Sequence, residues 1–349
     1  MSNGISIQVG QVLKPLEKGI FSSSRLVRWC AAQQNWDKIH YDESYAKKYA
    51  RLPERVINGA LKQHFLAQFL AQSFGPEVYI PRLTYNFMAP DIVNEALEVR
   101  GRITKLESVA GQRLVYVDME IWNVQQRKGN THASAVIVDG NFYPLEKSEE
   151  DPLFSARIAP NKLEAKLDPS VPKYINELIG TEIECIKSQY PLDLSRLRLF
   201  ADALGDCSPI HYDRKAGESS AYGTVVASPL FPIHGLEALP GSLILLSDPS
   251  AMGREAVNEI GRNFSRRFGF PSSGMVNGGN DVEIFSLLKL GETLNASSEL
   301  ISAEIKEGKS GKMLVTVTSN SYFTEANRVL LKERQTIIYR NFENILGEH

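Results

Sequence analysis

The sequence predicts an α+β protein built as two copies of one unit, and three observations carry that expectation. The tetrapeptide Ile-His-Tyr-Asp occurs at residues 39–42 and again at 210–213. Its flanks align without a gap, Cys30-Ala-Ala-Gln-Gln-Asn-Trp-Asp-Lys-Ile-His40 over Ala201-Asp-Ala-Leu-Gly-Asp-Cys-Ser-Pro-Ile-His211. His40 and His211 thus stand 171 positions apart, about half of 349 residues. In the first half, one strand and one long helix precede a run of strands, the order of a sheet wrapped around a helix.

Residues 5–13 alternate apolar and polar like an edge strand, and Ser22–Gln34 reads as a short helix opened by serine caps. A polar loop then carries Asn35, Asp37 and His40. The segment Gly59–Phe74 is the strongest helix of this half, with Leu61, Phe65, Phe69 and Leu70 at helical spacing. Strands are expected at 78–87, 96–106, 112–124 and 131–139, with Gly111 and Gly129-Asn130 as turns. Residues 146–172 are charged and proline-bearing and read as a linker between units at 1–145 and 173–349. The second unit offers a helix at 193–204, a histidine loop at 205–214 and strands at 280–287, 293–305, 312–324 and 328–340. Glu292-Thr-Leu lies over Glu95-Ala-Leu at an offset of 197, so about 26 extra residues fall within 232–280.

Composition excludes several classes of function. Hydrophobic content of 43% and charged content of 23% are ordinary for a soluble protein, and a net charge of −2 offers no basic face for nucleic acid. Cys30, Cys185 and Cys207 are widely spaced, which fits a reducing compartment and neither a disulfide framework nor a zinc site. The N-terminus lacks the pattern of a signal peptide, and no apolar run is long enough to span a bilayer. A cytoplasmic protein is expected. No histidines stand at metal-ligand spacing with a carboxylate, so no metal is expected.

Gly205-Asp-Cys-Ser-Pro-Ile-His-Tyr-Asp213 is the most informative stretch. Glycine frees the backbone where the helix ends, and proline stiffens the turn before the histidine. Asp206 and His211 can then be aimed at one point, where together they could hold and deprotonate a water. A helix-terminating turn with a solvated aspartate is the plain alternative, and the duplication favours function.

This stretch resembles the signature of MaoC-like dehydratases and type-two, (R)-specific enoyl-CoA hydratases: glycine, aspartate, any residue, asparagine, proline, aliphatic, histidine. Ser208 stands where that family has asparagine. The resemblance implies a double hot-dog fold, two tandem units that replace a homodimer of single ones. The second half resembles the N-terminal-type domain of two-part members, through Gly278-Gly-Asn-Asp-Val-Glu-Ile-Phe, Leu290-Gly-Glu-Thr-Leu and Glu333-Arg-Gln-Thr-Ile-Ile-Tyr. That domain often lacks the histidine, but His211 is present. The first half resembles the usual catalytic domain, yet Asn35 replaces its aspartate and Lys38 its proline. Asparagine can orient a water but cannot take its proton, and Asp37 is a displaced substitute. Asn35, Asp37 and His40 thus form a second or degenerate site, and the stronger pair, Asp206 and His211, lies in the second half.

The activity implied is addition of water to a 2-enoyl thioester to give a (3R)-hydroxyacyl thioester, or the reverse. The enolate oxygen requires N–H donors at a helix N-terminus. Gly59 supplies that place in the first half and Ser228 in the second, where Pro229 removes one donor. The partner is an acyl-CoA or acyl-carrier-protein thioester, with coenzyme A as part of the substrate and no separate cofactor. Arg262, Arg266 and Arg267, beside Arg254, are candidate contacts to coenzyme A phosphates, against the alternative of a solvated helix face. His64 reads as a packed histidine, His234 as structural or lining the second pocket. His132 and His349 are given no role. A duplicated chain with one degraded site suggests a bulky acyl group. Two other readings stay open: a non-catalytic acyl-binding scaffold, which Asn35 suits, and a hot-dog thioesterase. The second needs a carboxylate on the central helix, and residues 60–74 contain none. A homodimer of double hot dogs follows only by analogy.

Overall fold

A computed structural model describes residues 7–109, 111–144, 168–237, 249–250, 252–253, 260, 275–308 and 311–340. The first half runs β1 (Leu16–Ile20), α1 (Ser23–Gln33), α2 (Glu43–Lys48), α3 (Gly59–Phe74), β2 (Tyr79–Phe87), β3 (Ala96–Val109), β4 (Gln112–Asn123) and β5 (Lys128–Val138). The second begins with α4 (Lys173–Asn176) and continues through β6 (Glu182–Pro191), α5 (Leu194–Leu204), α6 (Arg214–Ser219) and α7 (Phe231–His234). It closes with β7 (Met275–Ile284), β8 (Thr293–Gly308), β9 (Gly311–Thr324) and β10 (Val329–Tyr339). All ten strands form one sheet in the order β1-β3-β4-β5-β2-β7-β10-β9-β8-β6, every named pair antiparallel. Each half thus has the same internal order, and they meet edge to edge at β2 and β7. This is a double hot-dog fold.

The junction is a pseudo-twofold. Thr84 pairs with Asp281 in register, and these residues stand 197 positions apart, the same offset as Glu95 and Glu292. Asp281 fixes the register, accepting from Arg82 Nε at 2.8 Å, Arg82 Nη2 at 2.6 Å and Thr84 Oγ1 at 2.9 Å. A forked guanidinium–carboxylate pair is directional as well as attractive, so it opposes slippage of the two halves.

Helix α3 is apolar nearly all round, as a helix enclosed by a sheet must be. Leu61, Phe65, Leu66, Phe69 and Leu70 are buried. Phe69 approaches β3 so closely that a Cβ at Gly101 would lie 2.7 Å from its ring, so only glycine fits there. One charge is buried with the helix: Lys62 Nζ meets Asp91 Oδ2 at 2.7 Å. Asn123 and Asn130 donate to the other oxygen of Asp91 at 2.8 and 2.9 Å, which completes its hydrogen bonding. One hydrophobic core runs through both halves, from Phe21, Leu26 and Phe65 to Phe200, Phe231 and Leu294.

The expected strand at 5–13 is not formed as such. Residues 9–10 turn, Val12 makes one isolated bridge to Arg102, and the first strand lies at Leu16–Ile20. Residue alternation alone does not separate an edge strand from an extended arm that touches the sheet at one point. Strand β7 begins at Met275, earlier than the expected 280. Most of the expected linker and of the 232–280 insertion lies outside the described residues. None of the described helices is long and apolar enough to cross a membrane.

Candidate active site

Both histidine loops are built alike. Helix α5 ends at Gly205 in the left-handed region (φ 62°, ψ 40°), and the Asp206 N–H returns to the Ala201 carbonyl at 2.8 Å. Asp206 Oδ1 accepts from Ser208 N at 2.9 Å, and Pro209–His211 forms a short 3-10 turn. His211 Nδ1 lies 2.9 Å from the Val226 carbonyl. A carbonyl can only accept, so Nδ1 carries a proton, and in the neutral ring Nε2 then keeps its lone pair, the form a general base requires. Asp213 then caps α6 by accepting from Ala216 N at 2.8 Å.

The first half repeats this geometry. Helix α1 ends at Gln34 in the same conformation (φ 57°, ψ 37°), which costs a side-chain-bearing residue ~1–2 kcal/mol. Asn35 N returns to Cys30 O at 2.8 Å, Asn35 Oδ1 accepts from Asp37 N at 3.1 Å, and His40 Nδ1 meets Val56 O at 2.8 Å. After the histidine loops the alignment shifts by one. Val56 and Val226 hold the two histidines 170 positions apart, and on the same offset Asn58 matches Ser228, Gly59 matches Pro229 and His64 matches His234.

The surroundings of the two loops differ. Asp206 and His211 face a cavity of about 20 Å³ whose far wall is α3 of the first half, through His64, Ala67, Gln68 and Ala71. Ser228 and Pro229 complete its near side. That is room for one water. It is not room for an acyl chain, so the wide tunnel expected for a bulky substrate is not open among the described residues. Four polar atoms in or beside the site are buried without a hydrogen-bond partner: His64 Nε2, Gln68 Nε2, Ser208 Oγ and Ser228 Oγ. Buried polar groups are normally paired, and three of these four residues, His64, Gln68 and Ser228, line the cavity.

The first-half loop is packed in at its turn, although its histidine, His40, is partly exposed where His211 is buried. Asn35, Asp37 and Lys38 are 2%, 1% and 5% exposed. Asn35 Nδ2 donates to Gln33 Oε1 at 3.3 Å, and Lys38 N donates to Met252 O at 2.8 Å, so a stretch of the second half lies over the loop. Asp37 caps the turn by accepting from Ile39 N at 3.4 Å, a structural task. His234 has an amide at each ring nitrogen, Gln33 at 2.8 Å from Nδ1 and Gln63 against Nε2. The place of Gln33 is taken in the second half by Leu204, so no amide reaches His64 there. At the helix start, the Phe87 ring lies 3.1 Å from where a Cβ of Gly59 would sit and covers that N-terminus. His64 and His234 meet near the pseudo-twofold with ring centroids 5.4 Å apart. Burial, and then His234 beside it, holds His64 well below the ordinary histidine range.

Of the sequence-derived candidates, the structure therefore brings Asp206, His211 and Ser228 to one cavity, buries Asn35 and Asp37 in the first-half loop, and leaves His40 and Gly59 partly exposed. Arg262, Arg266 and Arg267 lie outside the described residues. Sequence reasoning missed Lys18 and Gln68, which meet beside Asp206 from the other half. Nothing in their local sequence distinguishes them from surface residues. Wider surface grooves at Leu106–Arg113 and beside Tyr79 and Tyr143 contain no acid–base pair. Among the described residues no cluster of His, Cys, Asp and Glu has the form of a metal site.

Comparison with known proteins agrees with both halves. Residues 13–93 match the model of hydroxyacyl-thioester dehydratase type 2, and residues 177–333 match that of the FAS1-like dehydratase domain region. No curated protein sequence matches significantly. Among solved structures, a MaoC domain protein described as a dehydratase from Chloroflexus aurantiacus J-10-fl aligns with TM-score 0.62 and 10% identity over 95% of each chain. A MaoC-like dehydratase aligns with TM-score 0.56 and 13% identity over 94% of this chain and 97% of its own. A conserved hypothetical protein from Mycobacterium tuberculosis, described as having a double hotdog fold, aligns with TM-score 0.54 and 12% identity over 95% and 96%. These likenesses establish the fold, and the two family models add the dehydratase signature half by half. The chain thus has the double hot-dog fold, and its two halves are each similar to a dehydratase family model over the residues given.

Proposed function

We propose that the chain is a hydro-lyase that adds water to a 2-enoyl-CoA to give a (3R)-hydroxyacyl-CoA, or runs the reverse. The observation that carries this reading is the Asp206–His211 pair facing a cavity sized for one water, with the histidine proton parked on Nδ1. In hydration, water is held between Asp206 and His211, and Nε2 of His211 takes its proton as the oxygen bonds to C3. The electrons of the double bond move onto the thioester oxygen. A proton returned to C2 restores the pair to its starting state, so no cofactor is consumed. Acid–base groups so placed are worth roughly 10²–10⁴ in rate.

The scaffold reading fits the first half, where Asn35 has no basic carboxylate and is buried, but not the second. A thioesterase of the hot-dog type would need a carboxylate on the helix facing the site, and α3 presents His64 and Gln68 instead. The test is loss of enoyl-thioester absorbance with purified protein on short, long and branched 2-enoyl-CoAs, with chiral analysis of the product. Formation of the (3R) alcohol is expected. Thiol release without hydration would favour the thioesterase, and binding of CoA esters without any turnover would favour the scaffold.

A further inference from the structure

Lys18 on β1 reaches across the junction between the halves. Its Nζ donates to Gln68 Oε1 at 2.8 Å and to the carbonyl of Leu204 at 2.9 Å, two residues before Asp206. The ammonium also lies 4.6 Å from the centroid of the Phe65 ring. An ammonium has no lone pair, so its partner on Gln68 must be the oxygen, and the amide cannot be turned over without losing that bond. The amide NH2 of Gln68 is thereby aimed away from Lys18, its nitrogen is buried and unpartnered, and the residue lines the same cavity as Asp206 and His211.

The same cavity has a deficit. Where the first half has Gly59 at its helix start, the second has Pro229, which carries no N–H. An enolate oxygen forming beside Asp206 and His211 is therefore one backbone donor short. Resting on the hydro-lyase reading, we propose that Gln68 is a further catalytic residue, its amide donating to the thioester oxygen in place of the missing N–H, and that Lys18 is the positioning residue that orients it. The active site is then a composite, with acid–base chemistry from the second half and a charge-stabilising donor from the first. Fusion of the two halves maintains that asymmetry, since a symmetric pair would carry the lysine and the amide at both sites. The counterpart of Lys18 on the 171 offset is Gln189, which has no charge.

Lys18 also sets a pH range. Burial, and next Arg25, lower it to about 8, against the opposing pull of Asp206 and Cys207. Above that pH the neutral amine gains a lone pair, and the Gln68 amide is free to turn its oxygen toward the cavity.

The experiment measures kcat and KM on crotonyl-CoA for the full chain and for Gln68→Met, Gln68→Glu, Lys18→Met and Lys18→Arg. In an Asp206→Asn background, which stops turnover, it also records the infrared carbonyl stretch of bound ¹³C-carbonyl crotonyl-CoA. Gln68→Met and Gln68→Glu should lower kcat roughly a hundred-fold with KM changed only a few-fold, the pattern for one lost oxyanion donor. The carbonyl band should move to higher frequency when Gln68 is Met. Lys18→Met should lower kcat, and Lys18→Arg should restore it and carry the alkaline limb above pH 8. A Gln68→Met protein with wild-type kcat, or an unmoved carbonyl band, overturns the assignment of Gln68. A Lys18→Met protein with wild-type kcat and an unshifted alkaline limb overturns that of Lys18. Wild type that binds the ester but never hydrates it overturns the hydro-lyase reading, while the carbonyl band still decides whether Gln68 touches the ester.

Discussion

Asn35 and Asp206 occupy the same turn, at the end of the same kind of helix, and each accepts a hydrogen bond from the N–H two residues on. His40 and His211 donate from Nδ1 to matching valine carbonyls at 2.8 and 2.9 Å. The backbone of the histidine loop is present twice. What differs is the neighbour across the junction. His234 is tied by Gln33 and Gln63 in the first place, whereas Leu204 leaves His64 untied in the second, beside a cavity with room for one water. The first loop thus differs from the second by more than one carboxylate. The amide network, the backbone bond to Met252 and the Phe87 ring beside Gly59 have no described equivalent in the second half.

The central helices diverge in the same direction. Helix α3 is 16 residues long and anchored by the buried Lys62–Asp91 pair, while the described part of its counterpart, α7, has 4 residues and Pro232 at the position of Lys62. The largest effect predicted outside catalysis falls on that anchor. Lys62→Met should destabilise the protein by about 3–5 kcal/mol, because Asp91 is left charged and buried with only its two asparagine donors. Urea unfolding checks it, and an unchanged midpoint would mean that α3 does not depend on its ion pair.

A smaller effect is expected at His64. Unfolded, His64 takes up a proton near pH 6.5, whereas in the folded chain burial and His234 hold it neutral well below that. The unfolded state therefore binds more protons as pH falls through 6.5, and stability is full above that pH and declines below it. The slope is at most ~1.4 kcal/mol per pH unit. His64→Phe should flatten this acid limb in unfolding measured at pH 7, 6 and 5, and a limb of unchanged slope would assign the sensitivity to another group.

Much of this was legible in the sequence. The repeat around His40 and His211 announced two similar units, and apolar spacing from Leu61 to Leu70 placed α3 at its observed bounds of Gly59–Phe74. Asp206 and His211 were findable because their spacing within one turn is a local property. The site's other wall was not findable, because Gln68 and Lys18 reach it only through a pseudo-twofold that brings the halves together. The tie between Gln33 and His234, residues 201 positions apart, is equally silent in sequence, since an amide in a helix has no motif. The arm at 5–13 was misread because polar alternation persists in extended chain that is barely paired.

The central claim is that one site works, and that its acid–base pair lies in the second half. It is tested most directly by following 2-enoyl-CoA hydration with wild type, Asp206→Asn, His211→Ala and His40→Ala, each checked for a native unfolding midpoint. Loss of roughly 10²-fold or more with the first two changes, and near wild-type turnover with His40→Ala, is the predicted result. Turnover abolished by His40→Ala and spared by Asp206→Asn would place the chemistry in the first half and contradict the account.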